Sequence, residues 1–255
     1  MVCPLRATMH RIFTEEELAL PLLRGRLLHA FAEAVALNVD SDVARLKIMD
    51  AYQEILAAPT WLRSYRLDTW RTVLDRTKMW IETHRHIFEQ VGVEVEAEVT
   101  IAEGMKLRGR IDRLEKTMDG DYHIVDFKSG TNCPSKKAIA DHVQLFTYQL
   151  ILHHGAFDGT KIRPVRSTES GMTVDGATLV YPEKDTKNIW SITQAAKTEE
   201  QLAEFENQLP DLLQALRGPE LQAQRNPRCA TCKLKPICPV FDTGKWTTEP
   251  TTNVS

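Results

Sequence analysis

The chain has 255 residues, enough to bury one sizeable core with a helical addition. Its 42% hydrophobic and 26% charged residues suit a globular chain rather than a disordered one, and a net charge of -3 gives no global sign of nucleic-acid binding. No apolar run approaches the roughly 20 residues of a membrane helix, and the first residues lack a basic segment followed by a long apolar one. No membrane association and a cytoplasmic location are therefore expected.

The first ninety residues read as helices. Leu22, Leu23, Leu27, Leu28, Phe31 and Val35 recur at helical spacing, with Pro21 in the first turn. A second helix is predicted over Asp42 to Leu56 and a third over Asp68 to Gln90, closed by Gly92. Residues 93–101 (VEVEAEVTI) then alternate with period two, as a half-buried strand does. The equal spacing of Glu94, Glu96 and Glu98 reads as an exposed polar face. Two more strands are predicted over 106–114 and 122–127, with a turn at Met118 to Asp121. One long helix is expected over 135–154, capped by Ser135 and stopped by Gly155. Strands at 177–181 and 188–192 follow, then a helix over 198–216 bent at Pro210, and loop from Pro219. The pattern is that of a mixed α/β core with helices on either side in sequence. No G-x-x-x-x-G-K-[ST] loop is present, so ATP hydrolysis by this chain is not expected.

Asp112 falls near the end of one predicted strand and Asp126 near the end of the next, with Lys128 two residues on. Strands joined by a short turn lie side by side, so the two carboxylates converge, and Asp126 and Lys128 project from one face. Paired carboxylates bind a hard cation such as Mg²⁺ (or Mn²⁺), and an adjacent lysine neutralises charge developing on a phosphate. The alternative is a pair of solvated acids at strand ends. Against it, Asp126 interrupts the apolar run IVDF, and a charge there needs a partner.

Five cysteines in a chain without an export signal argue against a disulfide framework. Cys229, Cys232 and Cys238 form C-x2-C-x5-C, one thiolate short of a closed zinc or [4Fe–4S] site. Cys3 is the natural fourth and Cys133 its rival. From Arg217 to Lys245 six basic residues face only Glu220 and Asp242, a local basic patch that includes Arg225 and Lys233.

In order, Gly25-Arg-Leu-Leu-His29, then GRIDRLE from Gly109, IVDFKSG from Ile124, and HVQLFTYQL from His142 resemble the RecB-like branch of the PD-(D/E)xK nuclease superfamily. The resemblance implies a restriction-endonuclease-like fold, a central mixed β-sheet flanked by helices. It implies one domain over residues 1–240, made of an N-terminal helical region (1–91), a catalytic core (92–193) and a C-terminal helix with the cysteine loop (194–240). A disordered tail, 241–255, is expected after it. It assigns His29, Asp112, Asp126 and the Phe127 carbonyl to the metal, Lys128 to the nucleophilic water, and Gln144 and Tyr148 to guiding DNA. The cysteines are similar to those of AddB-type nucleases, in which four thiolates corresponding to Cys3, Cys229, Cys232 and Cys238 hold a [4Fe–4S] cluster. The wording is most similar to the C-terminal domains of actinobacterial AddAB/AdnAB-type helicase–nucleases. That implies an exonuclease on single-stranded DNA or DNA ends in repair and recombination, with a helicase motor in cis or in trans, and Arg225 and Lys233 on phosphates. CRISPR-adaptation nucleases of the same fold, and a non-catalytic DNA-binding module, are the alternatives.

Overall fold

A computed structural model describes residues 3–13, 20–101, 104–165, 170–184, 189–217 and 221–241. The expected tail at 241–255 lies, apart from Phe241, outside them. The chain divides into two compact units, Leu18–Ala203 and a second made of Met1–Glu17 with Glu204–Ser255.

The larger unit opens with three helices, α2 (Leu20–Ala36), α3 (Ser41–Ile55) and α4 (Thr60–His84); α1 (Pro4–Phe13) belongs to the other unit. Asp40 caps α3, its carboxylate accepting from Asp42 N and Val43 N at 2.9 and 3.0 Å. Leu28, Phe31, Tyr52, Trp70, Leu74 and Ile81 meet in a core that excludes water, each side chain contributing roughly 1.5–3 kcal/mol.

Seven strands follow: β1 (Glu89–Thr100), β2 (Lys106–Lys116), β3 (Tyr122–Phe127), β4 (Gly155–Phe157), β5 (Lys161–Pro164), β6 (Val174–Tyr181) and β7 (Trp190–Ala195). They form one mixed sheet in the order β4-β5-β1-β2-β3-β6-β7, with β1–β5 and β3–β6 parallel. Gly120, at φ 93, makes the tight β2–β3 turn. Val125 and Phe127 of β3 and Val180 of β6 join the core of α2–α4. Side chains alternate along a strand, so Ile124 and Asp126 face the opposite layer, where α6 (Val143–His153) lies. Covered on both faces, β3 is almost wholly buried, as parallel central strands require. These findings give the α/β architecture the sequence led one to expect.

Two local readings are corrected. Gly92 does not end a helix; it sits in β1 at a register shift, where a Cβ would meet Val95 Cγ2 at 2.5 Å. The single helix over 135–154 is two, α5 (Lys136–Ala140) and α6, broken at Asp141 and His142. The carbonyls freed by the break are taken by buried Gln194, whose Nε2 donates to Ile139 O, Ala140 O and His142 O at 2.8, 3.1 and 3.3 Å. Gly155 follows the C-cap of α6, as expected of a stop, and also opens β4, where a Cβ would run into Ile162 Cγ2 and stand 2.7 Å from Ile151 O.

In the smaller unit, Thr8 Oγ1 donates to Leu216 O at 3.3 Å, joining α1 to α7 (Glu199–Arg217), within which the unit boundary falls. Pro210 lies inside α7. Short 3₁₀ turns at Pro227–Thr231 and Lys235–Ile237 carry the cysteine loop.

Candidate active site

Motif glycines bring the site's elements close together. At Gly25 a Cβ would stand 3.2 Å from Ser129 Oγ, so the glycine lets α2 approach the loop after β3. At Gly109 a Cβ would meet Tyr148 Cε1 at 2.8 Å, so β2 is bare where the aromatic ring of α6 lies on it. Tyr148 OH then donates to Arg110 O at 2.8 Å and fixes α6 on β2. A second tie runs through Glu183, which pairs with Arg24 of α2 and accepts from Gly130 N at 2.6 Å.

These approaches gather four acids and bases on an open cleft of about 540 Å³ lined by Gly25, His29, Glu94, Arg110, Asp112 and Ser129, among others. His29 Nδ1 lies 3.2 Å from Asp112 Oδ2, which also accepts from Phe127 N at 2.7 Å. Ligand atoms of His29, Glu94 and Asp112 lie within 4.8 Å of one another, the one such group of three among the described residues. Glu94 is the residue that sequence reasoning missed. The register sets Val93 against Arg113 and Val95 against Ile111, so Glu94 and Asp112 face each other across β1–β2. Its backbone has φ 50, a strained left-handed conformation for a non-glycine residue, and such strain collects at functional sites. Glu96 and Glu98 lack that turn, and Glu98 is paired with Lys106 and Arg108 at 3.0 and 2.6 Å.

Asp126 stands beside this group, 1% exposed. Gln144 connects its carboxylate to Lys128: Gln144 Nε2 donates to Asp126 Oδ1 at 2.6 Å, and Lys128 Nζ donates to Gln144 Oε1 at 2.7 Å. Lys128 Nζ also lies 2.6 Å from Asp126 Oδ2, a buried oxygen that accepts no well-aligned hydrogen bond. Gln144 and Tyr148, 3.1 Å apart, are thus held within the site's hydrogen-bond network. Phe127 is buried, with its N–H spent on Asp112.

Electrostatics show an excess of negative charge. Burial, then the charge of Asp112, pushes Asp126 up to about 6 against the pull of Lys128. Burial and Asp112 also raise Glu94, and burial pushes Tyr148 up to about 12. Burial opposes protonation of His29, yet its hydrogen bond to Asp112 and the charges of Asp112, Asp126 and Glu94 outweigh it and raise the pKa. A divalent cation would relieve this crowding, and the donor set (the Glu94 and Asp112 carboxylates and the His29 imidazole, with Asp126 beside them) fits such an ion.

The cysteines lie in the smaller unit, apart from Cys133. Cys3 Sγ accepts from Gln224 N and Cys229 Sγ from Asn226 N, each at 3.4 Å, so the first segment and the tail loop meet around Gln224. No three cysteine sulfurs among the described residues come within 4.8 Å of one another. Cys133 hydrogen-bonds to Thr131 O beyond the end of β3, in the larger unit. Arg225 and Lys233 are exposed in the cysteine loop, with Arg225 over the Phe241 ring; Lys245 lies outside the described residues. No helix among the described residues is long and apolar enough to cross a membrane.

Comparison with known proteins agrees with this geometry. No curated protein sequence matches the chain. A solved structure described as "Crystal structure of SSO0001" is 14% identical and covers 82% of this chain and 84% of its own, at a TM-score of 0.33, too low to establish a shared fold. The profile of the PD-(D/E)XK nuclease superfamily matches residues 1–239. With that match across nearly the whole chain, and an acid-rich site at the end of its central strands, the chain belongs to the PD-(D/E)XK nuclease superfamily.

Proposed function

We propose that the chain is a Mg²⁺- or Mn²⁺-dependent deoxyribonuclease acting on single-stranded DNA or DNA ends. The observation that carries the reading is the bridge Asp126–Gln144–Lys128 beside the His29–Glu94–Asp112 group. His29, Asp112, Asp126 and the Phe127 carbonyl would hold the cation, with Glu94 as a further carboxylate. When bound, that ion supplies charge neutralisation and activation of water at neutral pH. Lys128, tied at one side to Gln144, presents an ammonium to a phosphate oxygen and offsets charge as it develops. Gln144 and Asp126 together position that ammonium; Tyr148 holds the helix on which Gln144 rides.

A [4Fe–4S] cluster on Cys3, Cys229, Cys232 and Cys238 is the reading we favour for the smaller unit. Backbone N–H groups donate to two of the sulfurs, those of Cys3 and Cys229, around one loop segment, Gln224 to Asn226. A lone tetrahedral zinc, at about 2.3 Å from each sulfur, would bring thiolates to about 3.8 Å from one another. A cubane, with sulfides between its irons, spaces them more widely. Protein purified without oxygen should be brown, with iron and sulfide in stoichiometric amounts; a colourless, zinc-loaded preparation would refute the cluster. Arg225 and Lys233 beside it would follow phosphates, and a helicase motor, in cis or in trans, would feed the strand in repair or recombination.

The direct test incubates anaerobically purified protein with end-labelled single-stranded DNA and Mg²⁺, Mn²⁺ or EDTA, alongside Asp126→Ala. Cleavage that requires the metal and disappears in the variant is expected. Cleavage that survives Asp126→Ala refutes the site, and binding of DNA ends without cleavage under any divalent metal would favour a non-catalytic module.

A further inference from the structure

Beyond the cleft, the outward face of β2 presents Lys106, Arg108 and Arg110 at alternate positions, side chains 56%, 69% and 62% exposed. The row leads to Asp112, the next residue in the same two-residue step. Alternate residues on a strand are about 6.7 Å apart, close to the spacing of successive phosphates in an extended single strand. Beside it, β5 pairs with β1 (Glu96 against Lys161), so exposed Lys161 and Arg163 widen the row across the sheet. The two strips border an open groove of about 550 Å³, lined by Arg108, Arg110, Lys161 and Arg163 against Glu96 and Glu98. Arg110 lines both this groove and the cleft of the candidate metal site, so the two adjoin.

Among the groove's lining residues four cations stand against two acids, on a chain of net charge -3. The ion pairs of Arg108 with Glu98, Arg110 with Glu94 and Arg163 with Asp158 are exposed on the arginine side. Both partners of the Arg108–Glu98 pair are open to solvent, which screens the pair and leaves that guanidinium able to turn to a phosphate.

We propose that this groove over β2, β1 and β5 is the path of a single DNA strand to the metal site, with Arg108, Arg110, Lys161 and Arg163 on its phosphates. The proposal rests on the nuclease reading for its direction, and its test does not depend on cleavage. The binding of a fluorescent 30-nucleotide single strand is measured in EDTA over a range of salt, for the full chain and for Lys161→Glu/Arg163→Glu. With each lost single-strand phosphate contact worth about 0.7 in the slope of log K against log salt, the slope should fall by about 1.4. Affinity at low salt should drop at least about tenfold. The milder Lys161→Gln/Arg163→Gln should move both quantities in the same direction, with an unchanged melting temperature excluding misfolding. Unaltered affinity and slope in both folded variants would overturn the path and leave the groove to a partner other than DNA. Loss of cleavage by every divalent metal with the slope still reduced would instead refute the nuclease reading and uphold the path.

Discussion

Asp126→Asn should make the metal-free protein more stable at pH 8 while abolishing its activity. The native carboxyl, 1% exposed, titrates at about 6 instead of 3.8, first because burial disfavours its charge and next because Asp112 is close. Between those two values the native state holds more protons than the unfolded state, so linkage makes stability fall as pH rises from about 4 to 6 and then level off. The cost of keeping Asp126 ionised is roughly 3 kcal/mol, the free-energy equivalent of that change in pKa. Asparagine has nearly the same shape, still accepts from Gln144 through Oδ1, and carries no charge. Urea denaturation in EDTA at pH 4.5, 6 and 8 should therefore show a variant-minus-wild-type difference that grows by about 2–3 kcal/mol with pH, less whatever Lys128 loses with its counter-ion. Glu94 and His29, both raised, push wild-type stability the same way: what each contributes is present at low pH and lost as pH climbs through its folded value. Mg²⁺ should reverse the trend for wild type, since ligands must be deprotonated to bind it. A difference that is independent of pH would refute the reasoning, whatever its size.

Other substitutions test separate features of the site. Gly109→Ala places a Cβ 2.8 Å from Tyr148 Cε1, and should cost about 1–3 kcal/mol by thermal melting while lowering activity through displacement of α6. Arg113→Met leaves Glu115, 0% exposed, without the guanidinium 2.5 Å away; a loss of about 3–5 kcal/mol in denaturant unfolding is expected, and a loss under about 1 kcal/mol would contradict it. Glu94→Gln should weaken Mn²⁺ binding in a calorimetric titration about tenfold, near the lower end for a lost carboxylate contact, without lowering the melting temperature.

Much of the site was legible because its chemistry follows the two-residue period of strands and the four-residue period of a helix. Asp112 and Asp126 lie on adjacent strands joined by a short turn, and Gln144 and Tyr148 on one face of α6, so spacing brings each pair together, while the family resemblance joined the two pairs into one site. Glu94 escaped because a regular strand aligns it with Glu96 and Glu98. Only the positive φ and the opposition to Asp112 separate it from them, and neither is written in local composition. The break between α5 and α6 was hidden for a different reason. The amide that satisfies its open carbonyls comes from Gln194, over fifty residues away. β4 and β5 are three and four residues long, too short for any periodicity to show.

The smaller unit has a temporal consequence. Its contacts span most of the chain: Cys3 with Gln222 and Gln224 at separations of 219 and 221, Thr8 with Leu216 at 208. On the ribosome, α1 emerges before the segment it bonds to, and the residues of the larger unit are made in between. The larger unit, residues 18–203, is complete and free to fold in that interval, and its collapse shortens the loop that must then close. The contacts that join α1 to the cysteine loop therefore form after the larger unit's residues have been made, so the sheet and its acid cluster can assemble before those two segments meet.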